Sequence, residues 1–141
     1  MQLLSRDLLG PNPDGIISPQ IGGQNNEGIL MFKRDGLFYI MFGQCCCFCG
    51  EGTNVEVLVS TSPLGNYNST GQLMPSGSVW QAQTGSVWFT GADWVLQGDR
   101  WQSATDKIKA HDFSYLSPIR FLATGGVEPV HAFENVVTIE Y

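Results

Sequence analysis

The segment that most constrains the fold runs from Glu27 to Gly43. Ile29 to Phe32 is a short apolar run, Arg34-Asp35-Gly36 is polar, and Leu37 to Phe42 is a second, aromatic-rich apolar run. Asp-Gly between two such runs predicts a β-hairpin, because hairpin turns need backbone angles that Gly and Asp adopt at little cost. Glu27 stands at the mouth of this hairpin and is followed by Gly28. A carboxylate at a strand entrance is either a solvated or local capping group, or a group with chemistry to do.

A second segment repeats the layout. Gln83 leads into Ser86-Val87-Trp88-Phe89, Thr90 to Asp93 forms a turn, and Trp94-Val95-Leu96-Gln97-Gly98 returns. Glu27 and Gln83 are 56 positions apart. A period of about 50 residues with several strands per unit is the spacing of β-propeller blades.

A length of 141 residues suits one domain with a sizeable core. With 17 Gly, 11% aromatic and only 14% charged residues, the chain reads as all-β. Ala104 to Phe113 is expected to be a polar loop with a helical turn. The net charge of −6 argues against a nucleic-acid partner, whose phosphates need clustered cations. No apolar run is long enough to span a membrane. Met1 to Asp7 lacks the basic-then-apolar layout of a signal peptide. Residues 1–8 and the Pro19-broken stretch Ile16 to Ile21 are expected to be short strands at most. Asn54 to Ser60 alternates as a strand, and Asn66 to Ser78 reads as a polar loop carrying the N-glycosylation sequon Asn68-Ser69-Thr70. Tyr115 to Leu122 and Val136 to Tyr141 are the remaining expected strands.

Cys45, Cys46, Cys47 and Cys49 crowd four thiols into five positions. A structural zinc site takes two separated pairs, so a disulfide staple in an oxidising compartment or plain buried thiols are the readings considered ahead of metal, and no metal site or cofactor is expected. A catalytic thiol is disfavoured because neither His111 nor His131 can be paired with it from the sequence.

Several motifs together resemble glycoside hydrolase family 43. Glu27-Gly28-Ile29-Leu30-Met31-Phe32-Lys33-Arg34-Asp35-Gly36-Leu37-Phe38-Tyr39 is similar to the signature that opens the third blade in that family. Ser60-Thr61-Ser62-Pro63-Leu64-Gly65 is similar to its blade-closing turn, and Leu4-Ser5-Arg6-Asp7-Leu8-Leu9 to the segment preceding the signature. Gln97-Gly98-Asp99-Arg100-Trp101 is similar to a motif of the branch with exo-β-1,3-galactanases. Tyr115-Leu116-Ser117-Pro118-Ile119 is similar to a last-blade segment, with Tyr where Trp is usual.

The resemblance implies a partial β-propeller of about three antiparallel blades, the C-terminal part of a five-bladed ring. Residues 1–22 would be the remnant of a preceding blade, 23–70 and 71–114 two blades, and 115–141 a last partial blade. It implies a hydrolase of O-glycosyl bonds in galactans or plant-type polysaccharide side chains, acting with inversion and, in the family, outside the cell. Glu27 would be the general acid, Gln83 would reach the active centre, and Asp99, Arg100 and Trp101 would contact the carbohydrate.

Inverting hydrolysis needs one carboxyl to protonate the leaving oxygen and one carboxylate to activate water, roughly 6.5–9.5 Å apart. Glu27 suits the first role, and no other carboxylate here has a convincing context for the second, so a truncated hydrolase without its base is expected. The competing reading is a non-catalytic carbohydrate-binding module; a third is a thiol or metal protein built on the cysteine loop. Trp80, Trp88, Trp94 and Trp101 are sugar platforms or core residues on these readings. Arg100 either binds a hydroxyl or pairs with Asp99.

Overall fold

The computed structural model describes residues 1–23, 26–43, 54–74 and 82–129. Among the described residues seven strands form two antiparallel sheets. The first has the order β1 (Glu27–Arg34), β2 (Leu37–Gly43), β3 (Val55–Ser60), β4 (Asn68–Met74); the second has β5 (Ala82–Phe89), β6 (Trp94–Arg100), β7 (Ser114–Ile119). Among the described residues the only helical turn is a single 3-10 turn, Lys109–His111, inside the stretch expected to hold one.

The first hairpin forms as the sequence predicts. Arg34 pairs with Leu37 across a two-residue turn in which Asp35 and Gly36 have φ of 48° and 80°. Those angles belong to the turn whose twist matches that of the flanking strands. The second hairpin closes through Thr90, whose amide donates to the Asp93 carbonyl at 2.9 Å and whose hydroxyl oxygen accepts from the Asp93 amide at 3.0 Å.

Two boundaries differ from expectation. Asn68 to Met74 is strand rather than loop, and it completes the first sheet beyond residue 70. Asn68, Ser69 and Thr70 suit the outer strand of the described sheet, where the ladder from β3 supplies the order that composition does not. Ser114–Ile119 pairs with β6, so the second sheet runs past residue 114. Pro118 sits within it, at the edge of the sheet among the described residues, a position that tolerates proline. Residues 1–18 make only isolated bridges, Gln2 to Ile17 and Leu4 to Pro11, in place of full strands. The four cysteines, Trp80, His131 and the strand expected at 136–141 lie outside the described residues.

The sheets approach each other most closely along β1 and β5, their first strands, and diverge outward. This is how neighbouring propeller blades fan from a central channel, and it differs from a sandwich, where whole faces overlap. The wedge between them is filled by Leu30, Tyr39, Met41, Val57, Leu96, Tyr115 and Ile119, with Phe32, Trp94 and Phe121 packed against it. Phe32 stacks on Tyr39 at 5.0 Å and tilts against Trp94 at 5.0 Å. Trp94 is therefore a core residue, whereas Trp88 keeps 36% of its surface.

The other face of the first sheet carries Ile40, Phe42 and Leu58, covered in part by Ile21 and Tyr67. Leu8, Leu9, Ile16, Ile17 and Ile29 remain 65–88% exposed. Ile29 and Met31 alternate along β1 with Leu30 and Phe32, so the exposed pair lies on the face turned away from the second sheet.

Candidate active site

Glu27 begins β1 and Gln83 follows Ala82 at the start of β5. Gln83 Nε2 donates to Glu27 Oε2 at 3.1 Å. One residue on, the Thr84 hydroxyl donates to the Gly28 carbonyl. Both bonds join positions 56 apart, so they link the same place in the two repeated hairpins.

Each strand carries a bulge near this point. Pairing shifts between Glu27 and Leu30 in β1 and between Thr84 and Ser86 in β5. A bulge inserts one unpaired residue and re-aims the neighbouring side chains. Gly28 has φ of 59°, and a Cβ there would lie 2.5 Å from both the carbonyl oxygen and the hydroxyl of Thr84. A glycine is required on both counts: the left-handed backbone and the close approach of the two blades. Gly28 and Thr84 have the same 56-residue spacing as Glu27 and Gln83, the one signal in the sequence that pairs them.

Asp99 lies opposite Gln83 in the β5–β6 register and Ser114 lies on its other side. Directly opposed residues share a face, so Gln83 and Asp99 project the same way. Asp99 Oδ1 accepts from Gln97 Nε2 at 2.9 Å, and Gln97 Oε1 accepts from the Ser86 hydroxyl at 3.0 Å. Gln97 and Ser86 fall within the quoted motifs but are not among the candidate site residues; a polar residue on a strand carries no local signal of its partner across the ladder.

Arg100 is the last residue of β6 and projects to the opposite face from Asp99. Its amide donates to the Phe113 carbonyl at 2.9 Å. Trp101 follows in a loop that folds back on itself, and the Lys109 ammonium sits 3.7 Å from the centre of its ring. A cation seated there closes that face of the indole to a sugar.

Asp112 ties that loop together. Its Oδ1 accepts from the Ala104 amide at 3.0 Å, and its Oδ2 accepts from the Gln102 amide at 3.0 Å and from Lys109 Nζ at 3.0 Å. The Ala104 N–H, then Lys109 and the Gln102 N–H, hold this carboxyl down at about 2 against an ordinary 3.8. A carboxylate with a lowered pKa stabilises the fold above its unfolded-state value and loses that contribution as pH falls through the folded-state value. The loop should therefore hold above about pH 4 and loosen as pH approaches 2. Hydrogen exchange at the Gln102 and Ala104 amides, corrected for the intrinsic pH dependence, should show protection lost over that window, and Asp112→Asn should cut it roughly tenfold at neutral pH. Protection that does not change with Asp112→Asn would refute this role.

Asn68 opens β4 and is exposed, so its sequon is sterically accessible. Among the described residues no group of three or more His, Cys, Asp or Glu side chains is arranged to hold a metal ion. No described helix is long and apolar enough to cross a membrane.

No protein-family profile matches the chain, and no curated protein does. Solved structures match it with high significance. A GH43 β-1,3-galactosidase superposes with a TM-score of 0.70 at 22% identity, over 89% of this chain and 26% of its own. An exo-β-1,3-galactanase from Phanerochaete chrysosporium, solved with β-1,3-galactotriose, gives 0.69 at 17% identity, over 92% and 28%. A GH43 β-xylosidase/α-arabinofuranosidase from a compost microbial metagenome, in complex with xylotriose, gives 0.69 at 17%, over 95% and 42%. The chain thus has the fold of part of a GH43 propeller, and it spans between 26% and 42% of the length of these three glycosidases.

Proposed function

We propose that this chain contributes the acid side of a glycoside hydrolase centre, with Glu27 as general acid and Gln83 as its partner. The observation that carries the reading is the 3.1 Å bond from Gln83 Nε2 to Glu27 Oε2, made at corresponding ends of neighbouring inner strands. An acid at a propeller mouth protonates the glycosidic oxygen as the bond to the anomeric carbon breaks. Glu27 becomes a carboxylate in that step, and an amide N–H donates more strongly to a carboxylate than to a neutral carboxyl. Gln83 therefore stabilises the form of Glu27 that develops in the transition state.

Water enters from the opposite face of the sugar in an inverting reaction, so the base stands across the channel. In this reading further blades supply it, and this chain by itself binds sugar with little or no hydrolysis. The substrate class is a β-linked galactan or a plant-type polysaccharide side chain met outside the cell, in keeping with the glycosidases that share the fold. Asp99 and Trp101 are the further carbohydrate contacts, and Arg100 a third, reached from the loop side.

A sugar titration tests it. β-1,3-Galactobiose and xylobiose are added to the isotope-labelled chain, and the Gln83 side-chain amide and the Gly28 backbone amide are followed by NMR. A saturable shift at both, lost in Glu27→Ala, is the expected result. Absence of a response to either sugar at millimolar concentration would remove the reading.

A further inference from the structure

The bulge in β5 decides which side chain meets the first blade. Counting back from Ser86, which lies opposite Gln97, an unbroken ladder would put Gly85 opposite Gly98 and Thr84 opposite Asp99. The observed register instead puts Thr84 opposite Gly98 and Gln83 opposite Asp99. A one-residue slip exchanges the faces of a strand. The slip thus turns Thr84 toward the face of Leu96, where it bonds Gly28, and sets Gln83 beside Asp99.

The amide of Gln97 occupies this bulge. A Cβ on Gly85 would lie 2.7 Å from Gln97 Oε1, so the glycine leaves the space that the amide fills. The same oxygen accepts from Ser86 at 3.0 Å, and Gln97 Nε2 donates to Asp99 at 2.9 Å. One side chain therefore bonds to the residue that follows the bulge on β5 and to the residue opposite Gln83 on β6.

We infer that Gln97 is a positioning residue: by plugging the β5 bulge between Ser86 and Asp99, it fixes the register that aims Gln83 at Glu27. Its importance for sugar chemistry rests on the function proposed above; its effect on the Gln83–Glu27 contact does not.

The test uses the labelled 141-residue chain and three variants that attack the same plug from different sides. Gln97→Leu keeps similar bulk and removes both hydrogen bonds. Gly85→Ala drives a methyl into the amide. Ser86→Ala removes one bond and only the volume of a hydroxyl. In all three, the Gln83 side-chain amide is expected to exchange faster, roughly tenfold in Gln97→Leu and less in Ser86→Ala, and to lose its nuclear Overhauser contact with the Glu27 side chain. Amides around Tyr39, in the wedge between the sheets, should keep their protection, which separates lost aim from lost fold. Should Gln97→Leu lose that protection as well, Ser86→Ala, which deletes only a hydroxyl, decides. Unchanged Gln83 exchange and contact in folded variants would overturn the inference even if the wild-type chain binds sugar. A changed Gln83 signal in a chain that binds no sugar would leave the inference standing and remove the proposed function instead.

Discussion

Glu27→Gln, made in a protein where this fold is completed to a closed ring, is expected to slow hydrolysis of unactivated β-galactosides by roughly 10²–10⁴-fold. The reason is specific to an acid. A glutamine has nearly the same shape and can still meet Gln83, but it has no proton to give as the glycosidic bond breaks. Sugar binding should therefore change little, and the loss should fall on kcat. The size of the loss should also depend on the leaving group. A sugar alkoxide is a poor leaving group and needs its proton, whereas a nitrophenolate leaves readily without one. Measuring kcat/KM over aryl galactosides of decreasing leaving-group pKa should show the variant converging on the wild type. A loss of equal size across the series would assign Glu27 to binding or structure. No loss at all would take it out of the reaction.

Tyr39→Ala is expected to have the largest effect on stability. Tyr39 is fully buried, stacks on Phe32 at 5.0 Å, and meets Phe121 edge-on at 5.3 Å. Its hydroxyl donates to the Gly125 carbonyl at 3.0 Å. That bond ties the loop after β7 to the middle of the first sheet. Removing a buried aromatic ring costs about 3–5 kcal/mol. Stranding the Gly125 carbonyl adds about 1–3 kcal/mol. Whole domains have about 5–15 kcal/mol to lose, so the variant should be largely unfolded or melt more than about 10 °C lower. Tyr39→Phe separates the contributions, because it keeps the ring and should cost only the about 1–3 kcal/mol of the stranded carbonyl. Chemical denaturation of the three proteins measures both steps. An alanine variant within about 1 kcal/mol of wild type would show that the wedge between the sheets is not the core.

Much of this arrangement was legible in the sequence where the signal is local. Asp35-Gly36 between aromatic runs specified the first hairpin, and the Thr90 to Asp93 turn specified the second. The repeat spacing brought Glu27 and Gln83 to equivalent strand entrances. Strands without such punctuation are harder to read. The polar residues of β4 suggest a loop, and nothing in the sequence of β7 says which sheet it joins; the ladders to β3 and β6 decide both. Trp101 illustrates the same limit at the level of one side chain. An aromatic next to Arg100 reads as a sugar platform, yet Lys109, eight residues later, is folded onto one of its faces.

The sequence by itself determined the alternation, the tight turns and the repeat, because these depend on residues within a few positions of one another. Only the tertiary structure decided how the repeats meet. The left-handed angle at Gly28 is set by Thr84 pressing against it from another blade, and the empty Cβ position of Gly85 is set by Gln97 across the ladder. The face presented by Gln83 depends on a one-residue bulge whose register is fixed by bonds to both strands. A glycine in a strand can serve flexibility, a turn or a close approach. Which of these it serves is settled by the neighbour that packing brings to it, and that neighbour lies far away in the chain.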